Sequence, residues 1–293
     1  MTQLIQTPIF GILIGGVYAL MSTGLTLVFG VMKIVNMAHG SFLVLSAYLS
    51  FTLWHSFGLD PILAAFIVAP VMGALGFALH KTVIGRAQRI DPGLTIVATF
   101  ALAVIAEALT ALTFGPNPTT STPSYFNQSF HVGSVIIPRA QLYAFGLAIV
   151  ITTALGAVMK RTWLGHAITA ASENPEGARL IGVEPSRVGA WVFAISIATT
   201  AFGGAALSFL YQFIPDSQDF WIGLTLSVVI LGGLGSIPGV VAGGLLLGVT
   251  ETLTSTYVSV RWATAVPLAM VLLVLTIRPQ GILSSRLRED VGS

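Results

Sequence analysis

Two carboxylic acids, Glu107 and Glu251, stand inside long apolar runs, and a polar island at residues 33–41 (Lys-Ile-Val-Asn-Met-Ala-His-Gly-Ser) interrupts a third. An ionisable group near the middle of a bilayer costs about 3 kcal/mol on insertion scales. Such residues therefore mark proton relays, substrate contacts or polar links between helices. Glu107 and Glu251 offer proton coupling or a polar contact with a substrate. Their plainer role is a hydrogen bond to a neighbouring helix, with the acid protonated. In the island, Asn36 and His39 offer a pore-lining or gating role, and Asn36 is equally placed to cap a helix starting near Ala38. Gly40 and Ser41 permit close approach, and Phe42 follows them into apolar sequence. A second break lies at 232–239, Gly-Gly-Leu-Gly-Ser-Ile-Pro-Gly, where Gly232, Gly233, Gly235 and Ser236 predict unwound backbone. Backbone without a helical partner survives at membrane depth only where protein or a water-filled path surrounds it.

Other chemistry is excluded by the residues present. None of the lysines, Lys33, Lys81 and Lys160, follows a glycine, so no phosphate-binding G-x-x-x-x-G-K-[ST] loop exists. If ATP drives this protein, another chain binds it. There is no H-E-x-x-H, no G-x-S-x-G and no cysteine, and the 5 histidines are scattered. Nothing here supports an enzyme or a metal site.

The elements that position these residues follow from composition. Of 293 residues 55% are hydrophobic and 8% charged, against about 25% charged in soluble domains, and mean hydropathy is +0.89. The chain reads as an all-α integral membrane protein, one transmembrane domain over 1–293, and its long unbroken runs disfavour a β-barrel. Spans are predicted at 8–29, 38–57, 61–80, 93–113, 140–159, 189–211, 223–250 and 264–277, about eight in all. The run 223–250 contains the glycine break and is expected to be two half-helices or a re-entrant pair. GxxxG spacings at Gly11/Gly15, Gly239/Gly243 and Gly244/Gly248 read as helix packing. The N-terminus lacks the basic region of a signal peptide, so the first span is expected to remain in the mature chain.

Basic residues set the orientation. Lys81, Arg86 and Arg89, then Lys160, Arg161, Arg179 and Arg187, then Arg278, Arg286 and Arg288 mark cytoplasmic segments. The segment 114–139 carries one basic residue and is read as an external loop, a flap or a docking surface for a soluble partner. This predicts an external N-terminus, an internal C-terminus and an odd number of crossings, which eight runs satisfy only if 223–250 crosses twice or another run is re-entrant. Lys33 falls at the cytoplasmic face. The island is then expected to be a hinge or gate at that face, with residues 39–42 entering the membrane. The basic charge follows the membrane pattern and gives no reason to expect nucleic acid.

The internal segment 160–188 carries a helix start at Asn174-Pro175-Glu176, with Asn as cap, Pro in the first turn and Glu at the positive end of the helix dipole. Gly182 suits the other end. A short rigid helix is predicted over 175–181, exposing Ala178 and Leu180, after a small-residue helix at 164–172 and before a second start at Glu184-Pro185.

Three stretches now carry a resemblance: 24–48 with its Asn-Met-Ala-His-Gly-Ser-Phe core, 173–183 (Glu-Asn-Pro-Glu-Gly-Ala-Arg-Leu-Ile-Gly-Val), and 231–248 with Gly-Gly-Leu-Gly-Ser-Ile-Pro-Gly. With the closing Arg-Pro-Gln-Gly-Ile-Leu at 278–283, the chain resembles the permease subunits of branched-chain amino-acid ABC importers, the LivH type. The resemblance implies a multi-pass subunit of the bacterial inner membrane and a second, related permease. It also implies two ATP-binding cassette subunits using ATP and Mg, and a periplasmic binding protein that supplies most of the selectivity. It implies further that Glu173, Asn174, Pro175, Glu176, Ala178, Arg179, Leu180 and Gly182 couple to the ATPase. Related permeases carry urea, amides or other amino acids. A stand-alone proton-coupled carrier using Glu107, Glu251 and His39 is the rival from another class.

Overall fold

The computed structural model describes residues 2–133 and 135–283. Arg286 and Arg288, used above to orient the C-terminus, lie outside the described residues. Helices α1 (Thr2–Met32), α2 (His39–Phe57), α3 (Pro61–Leu79), α4 (Gly85–Ile90) and α5 (Pro92–Phe114) come first, with a π-helical turn, His80–Ile84, joining α3 to α4. A hairpin of β1 (Ser129–Val132) and β2 (Val135–Pro138) precedes α6 (Arg139–Arg161), α7 (Trp163–Glu173), α8 (Pro175–Leu180) and α9 (Pro185–Leu210). The chain closes with α10 (Gln218–Gly232), α11 (Ile237–Tyr257), α12 (Val260–Ala263) and α13 (Val266–Ile277).

Among the described residues six helical runs are long and apolar enough to cross a bilayer: α1, α3 with α4, α5, α6, α9 and α11. Helices α1 and α9 are apolar all round and form the centre, each with 83% of its apolar window buried. By contrast α5 has 22% and α6 28% buried, so their outer faces are available to lipid or to another chain.

Glycines set the spacing at the centre. The two GxxxG pairs meet: a Cβ built on Gly15 would stand 2.6 Å from the Gly244 carbonyl oxygen, and one on Gly11 would stand 2.6 Å from the Val249 Cα. Residues 11 and 15 of α1 facing 249 and 244 of α11 fix the pair as antiparallel. Ser196 Oγ then ties α9 to α1 by donating to the Gly24 carbonyl at 2.7 Å.

The run 223–250, expected to be two half-helices or a re-entrant pair, is a helical hairpin. Gly232 packs directly on Gly239, and Gly243 lies against Val228, so α11 returns beside α10. Gly233 and Gly235 take φ of +101° and +83°, and the Ser236 hydroxyl accepts from the Gly239 amide at 3.1 Å to start α11. Separating α10 from α11 gives nine helical segments that run alternately toward and away from one end among the described residues. That end carries Lys33, Lys81, Arg86, Arg89, Lys160, Arg161 and Arg278 and is called the basic end below. The last segment, predicted at 264–277, is shorter: α13 has 12 residues, because Pro267 stands in its first turn.

The segment 114–139 packs on the bundle. Thr119 bridges Phe213, and Tyr125 donates to Asp60 Oδ1 at 3.2 Å, the carboxylate that also caps α3. Burial and this carboxylate push the Tyr125 phenol well above its ordinary range.

Gly15→Leu should lower the thermal stability of the detergent-purified chain sharply, because the obstructing atoms are backbone and overpacking costs about 1–3 kcal/mol or more. Gly146→Ala, at a helical position with no atom within 4 Å of the built Cβ, should leave it unchanged or raise it. Equal melting temperatures for both variants would contradict the packing account.

Candidate functional site

The polar island runs from the surface at Lys33 into the bundle at His39. Helix α1 ends at Met32, and Lys33 adopts φ +56° in the left-handed region usually taken by glycine at a helix end. The chain then turns back into the bundle. Met37 donates its amide to Thr99 Oγ1 at 3.2 Å, and His39 Nε2 reaches the Met21 carbonyl at 2.8 Å. Met21 lies 11 residues before Met32, about 16 Å along α1. The island therefore runs from Lys33 at the basic end to α2, which begins inside the bundle. The physical reason is that Asn36, His39 and the backbone between them find partners on α1 and α5.

Their roles differ accordingly. A carbonyl can only accept, so His39 carries its hydrogen on Nε2 and locks the start of α2 to α1. Its other nitrogen stands 3.4 Å from Thr200 Oγ1 of α9, whose hydroxyl already donates to the Ser196 carbonyl. Asn36 Oδ1 accepts from the Ala38 amide at 3.1 Å and shapes the turn. Its Nδ2 has no partner, at a side chain that is fully buried. Phe42 packs with Val28, Met72 and Ile197 in the core.

Two residues further on, the island meets an acid. The Ser41 hydroxyl donates to the side-chain oxygen of Gln218, and the Gln218 amide nitrogen donates to Glu107 Oε2. Gln218 is the first residue of α10, so α2 and α10 both begin here, with α5 supplying the carboxylate. Gly40 makes the approach possible: its built Cβ would lie 2.5 Å from the Gln218 carbonyl oxygen. Ser41 and Gln218 are buried while Glu107 is half-buried, so the carboxylate is the open end of the chain. Asp216 and Asp219 lie near enough to act on Glu107 electrostatically. The arrangement combines a partly open, acid-rich spot with the positive ends of two helix dipoles. It can hold an ammonium and a carboxylate side by side.

Gln218 is the residue the sequence reading missed. The signal was present in Asp216-Ser217-Gln218-Asp219, polar residues directly before an apolar run. The other candidates go elsewhere. Glu251 sits on α11 in contact with the Tyr18 hydroxyl, which also meets Tyr211, and its Oε2 has no partner. Among the described residues His39, Glu107 and Glu251 share no hydrogen bond. Gly232, Gly233, Gly235 and Ser236 lie at the basic end, where Gly235 packs on Gly30 and Gly281 packs on Gly233. Gly235 and Ser236 line a cavity of about 1760 Å³ with Lys33, Lys160, Arg161 and Arg278.

The capped helix forms as read. Asn174 Oδ1 accepts from the Gly177 amide at 2.8 Å, Pro175 and Glu176 occupy the first turn, and Arg179 the last. Gly182 has φ +84°. Ala178, expected to be exposed, is buried, because its carbonyl accepts from the Val183 amide and the turn folds this face onto α7 and α9. Leu180 and Ile181 project instead, 90% and 74% exposed, beside the exposed Glu173 and Glu176.

A family model described as the permease component of branched-chain amino acid transport systems matches residues 7–275. The permease LivH of the high-affinity branched-chain amino acid transport system of Salmonella typhimurium is 30% identical over 95% of each chain. A permease called probable LivH from Methanocaldococcus jannaschii is 26% identical, covering 92% of this chain and 90% of its own. LivM of Escherichia coli, a permease of the same kind of system, is 25% identical over 91% of this chain and 68% of its own length. Among solved structures, PsaBC from Streptococcus pneumoniae in complex with Fab aligns with TM-score 0.53 and 12% identity over 96% of this chain and 93% of the other, a likeness of fold. This chain belongs to the permease family of branched-chain amino acid transport systems.

Proposed function

We propose that this multi-pass permease forms one half of a pathway that carries aliphatic amino acids inward across the bacterial inner membrane, at a seam with a second, related permease. The observation that carries the reading is the junction of Ser41, Gln218 and Glu107 at the starts of α2 and α10. An amino acid is a zwitterion with an apolar side chain. Glu107 suits the ammonium, the two helix starts suit the carboxylate, and the exposed apolar residues of α5 suit the aliphatic part. The weak burial of α5 supports placing the partner permease there.

The basic end is the cytoplasmic one in this reading, because short basic loops are retained inside. The N-terminus is then periplasmic, the C-terminus cytoplasmic, and the flap at 114–139 faces a periplasmic binding protein. Two ATPase subunits, with ATP and Mg, dock below. Leu180 and Ile181 on the capped helix α8 supply the apolar contact, flanked by Glu173, Glu176 and Arg179. Because Asn174 and Pro175 fix the start of α8, a push on its tip moves it as a body. Movement reaches α9 and, through Thr200 and His39, the start of α2. The absence of a shared bond between His39, Glu107 and Glu251 among the described residues favours this over a proton relay.

Glu107→Gln should cut leucine uptake by the reconstituted transporter about ten-fold or more, the worth of one charge-assisted hydrogen bond, with ATPase activity and assembly retained. Glu107→Asp should recover part of it. Unchanged uptake by Glu107→Gln would remove the acid from the pathway. Leu180→Asp should release the ATPase subunits on purification or leave ATP hydrolysis without uptake. Full uptake with Leu180→Asp would place the docking surface elsewhere.

A further inference from the structure

A second cavity lies at the basic end, separate from the junction of α2, α5 and α10. It measures about 320 Å³, and Lys33, His80, Arg89, Arg179 and Ser186 stand in its wall. These come from five different places: the end of α1, the π-helical turn, α4, α8 and the start of α9.

Lys33, Arg89 and Arg179 bring three positive charges, and no carboxylate lines the cavity with them. Among the described residues the only ion pair is Arg187 with Glu184, 2.7 Å apart, so Lys33, Arg89 and Arg179 have no ion-pair partner there. Arg89 is held in place by donating to Ser186 Oγ at 2.9 Å. His80 is 2% exposed, and its Nε2 has no partner. The built Cβ of Gly189, another wall residue, would stand 2.9 Å from that nitrogen, so the ring packs directly against Gly189. The start of the 26-residue helix α9 adds its dipole. Three cations without an ion-pair partner among the described residues and a long helix start converge on one space.

We propose that this cavity binds a phosphate-bearing anion. A guanidinium matches phosphate oxygens with paired donors, and Lys33 adds a point charge. The volume exceeds that of phosphate alone and lies at the low end of ligand pockets, so it suits phosphate carrying a small alcohol such as glycerol. Two sources share that chemistry: the headgroup of an anionic phospholipid, since basic pockets at helix ends on the inner face take such groups, and a soluble phosphate ester. Because Pro175 and Arg179 form one wall and α4 and α9 the other, the bound anion ties α8 to the membrane helices. This site does not depend on the pathway proposed above.

The test uses the full chain in two arms. In nanodiscs, lipid co-isolated with the protein is counted by native mass spectrometry with phosphatidylglycerol against phosphatidylcholine. In detergent, glycerol 3-phosphate is titrated by calorimetry. Binding in either arm identifies the source, and the double variant Arg89→Gln, Arg179→Gln, at residues that line only the smaller cavity, should weaken it at least about ten-fold. The control Lys160→Gln, Arg161→Gln removes the same charge from the larger cavity and should bind as wild type. Both pairs include exposed side chains, and matched melting temperatures show that folding is intact. No binding in either arm, or equal weakening by the control, would overturn the proposal.

Discussion

A helix that begins inside a bilayer exposes as many as four backbone N–H groups that hydrocarbon cannot satisfy. Two helices of this chain, α2 and α10, begin inside the bundle, and much of the remaining architecture supplies them with partners. They start beside each other, with Gly40 against the Gln218 backbone. The buried helices α1 and α9 wall them off, and α1 lends the Met21 carbonyl that holds His39. For α1 to sit at the centre it must itself be approached closely, and Gly11, Gly15, Gly244 and Gly248 allow α11 to do so. The same constraint explains why an acid can persist nearby: Glu107 receives a hydrogen bond from Gln218, and the positive helix starts lie on its side of the bundle.

Much of the fold was legible because bilayer crossing demands long apolar runs, and those runs are visible one at a time. The capped helix was legible for a similar reason. Asn174, Pro175 and Glu176 act within one turn of each other, so adjacent letters state the structure. The exposure of Ala178 was not legible, since it depends on how the turn at Gly182 folds the helix onto α7 and α9.

The site itself was only half legible. Glu107 and Ser41 each stood out, one as an acid in apolar sequence and one in a polar island. Nothing local joins them: the link is Gln218, 177 residues from Ser41 and 111 from Glu107. Depth was also hidden. A polar island between two apolar runs does not state how deep it reaches, and only Thr99 and Met21 as partners place His39 about 16 Å along α1 from its end. Glu251 shows the converse. It has the same sequence signature as Glu107, yet its surroundings are two tyrosines at a helix contact.

The central claim is that the junction at Ser41 lies in the path of a zwitterion and carries negative potential. The chain has 0 cysteines, so Ser41→Cys supplies a single, nearly isosteric thiol. The direct measurement is its labelling rate in the assembled, cycling transporter with cationic and anionic thiol reagents of matched size. The account predicts faster labelling by the cation and slowing of both when leucine is delivered. A thiol that never reacts, or one that reacts without regard to reagent charge and leucine, would contradict it.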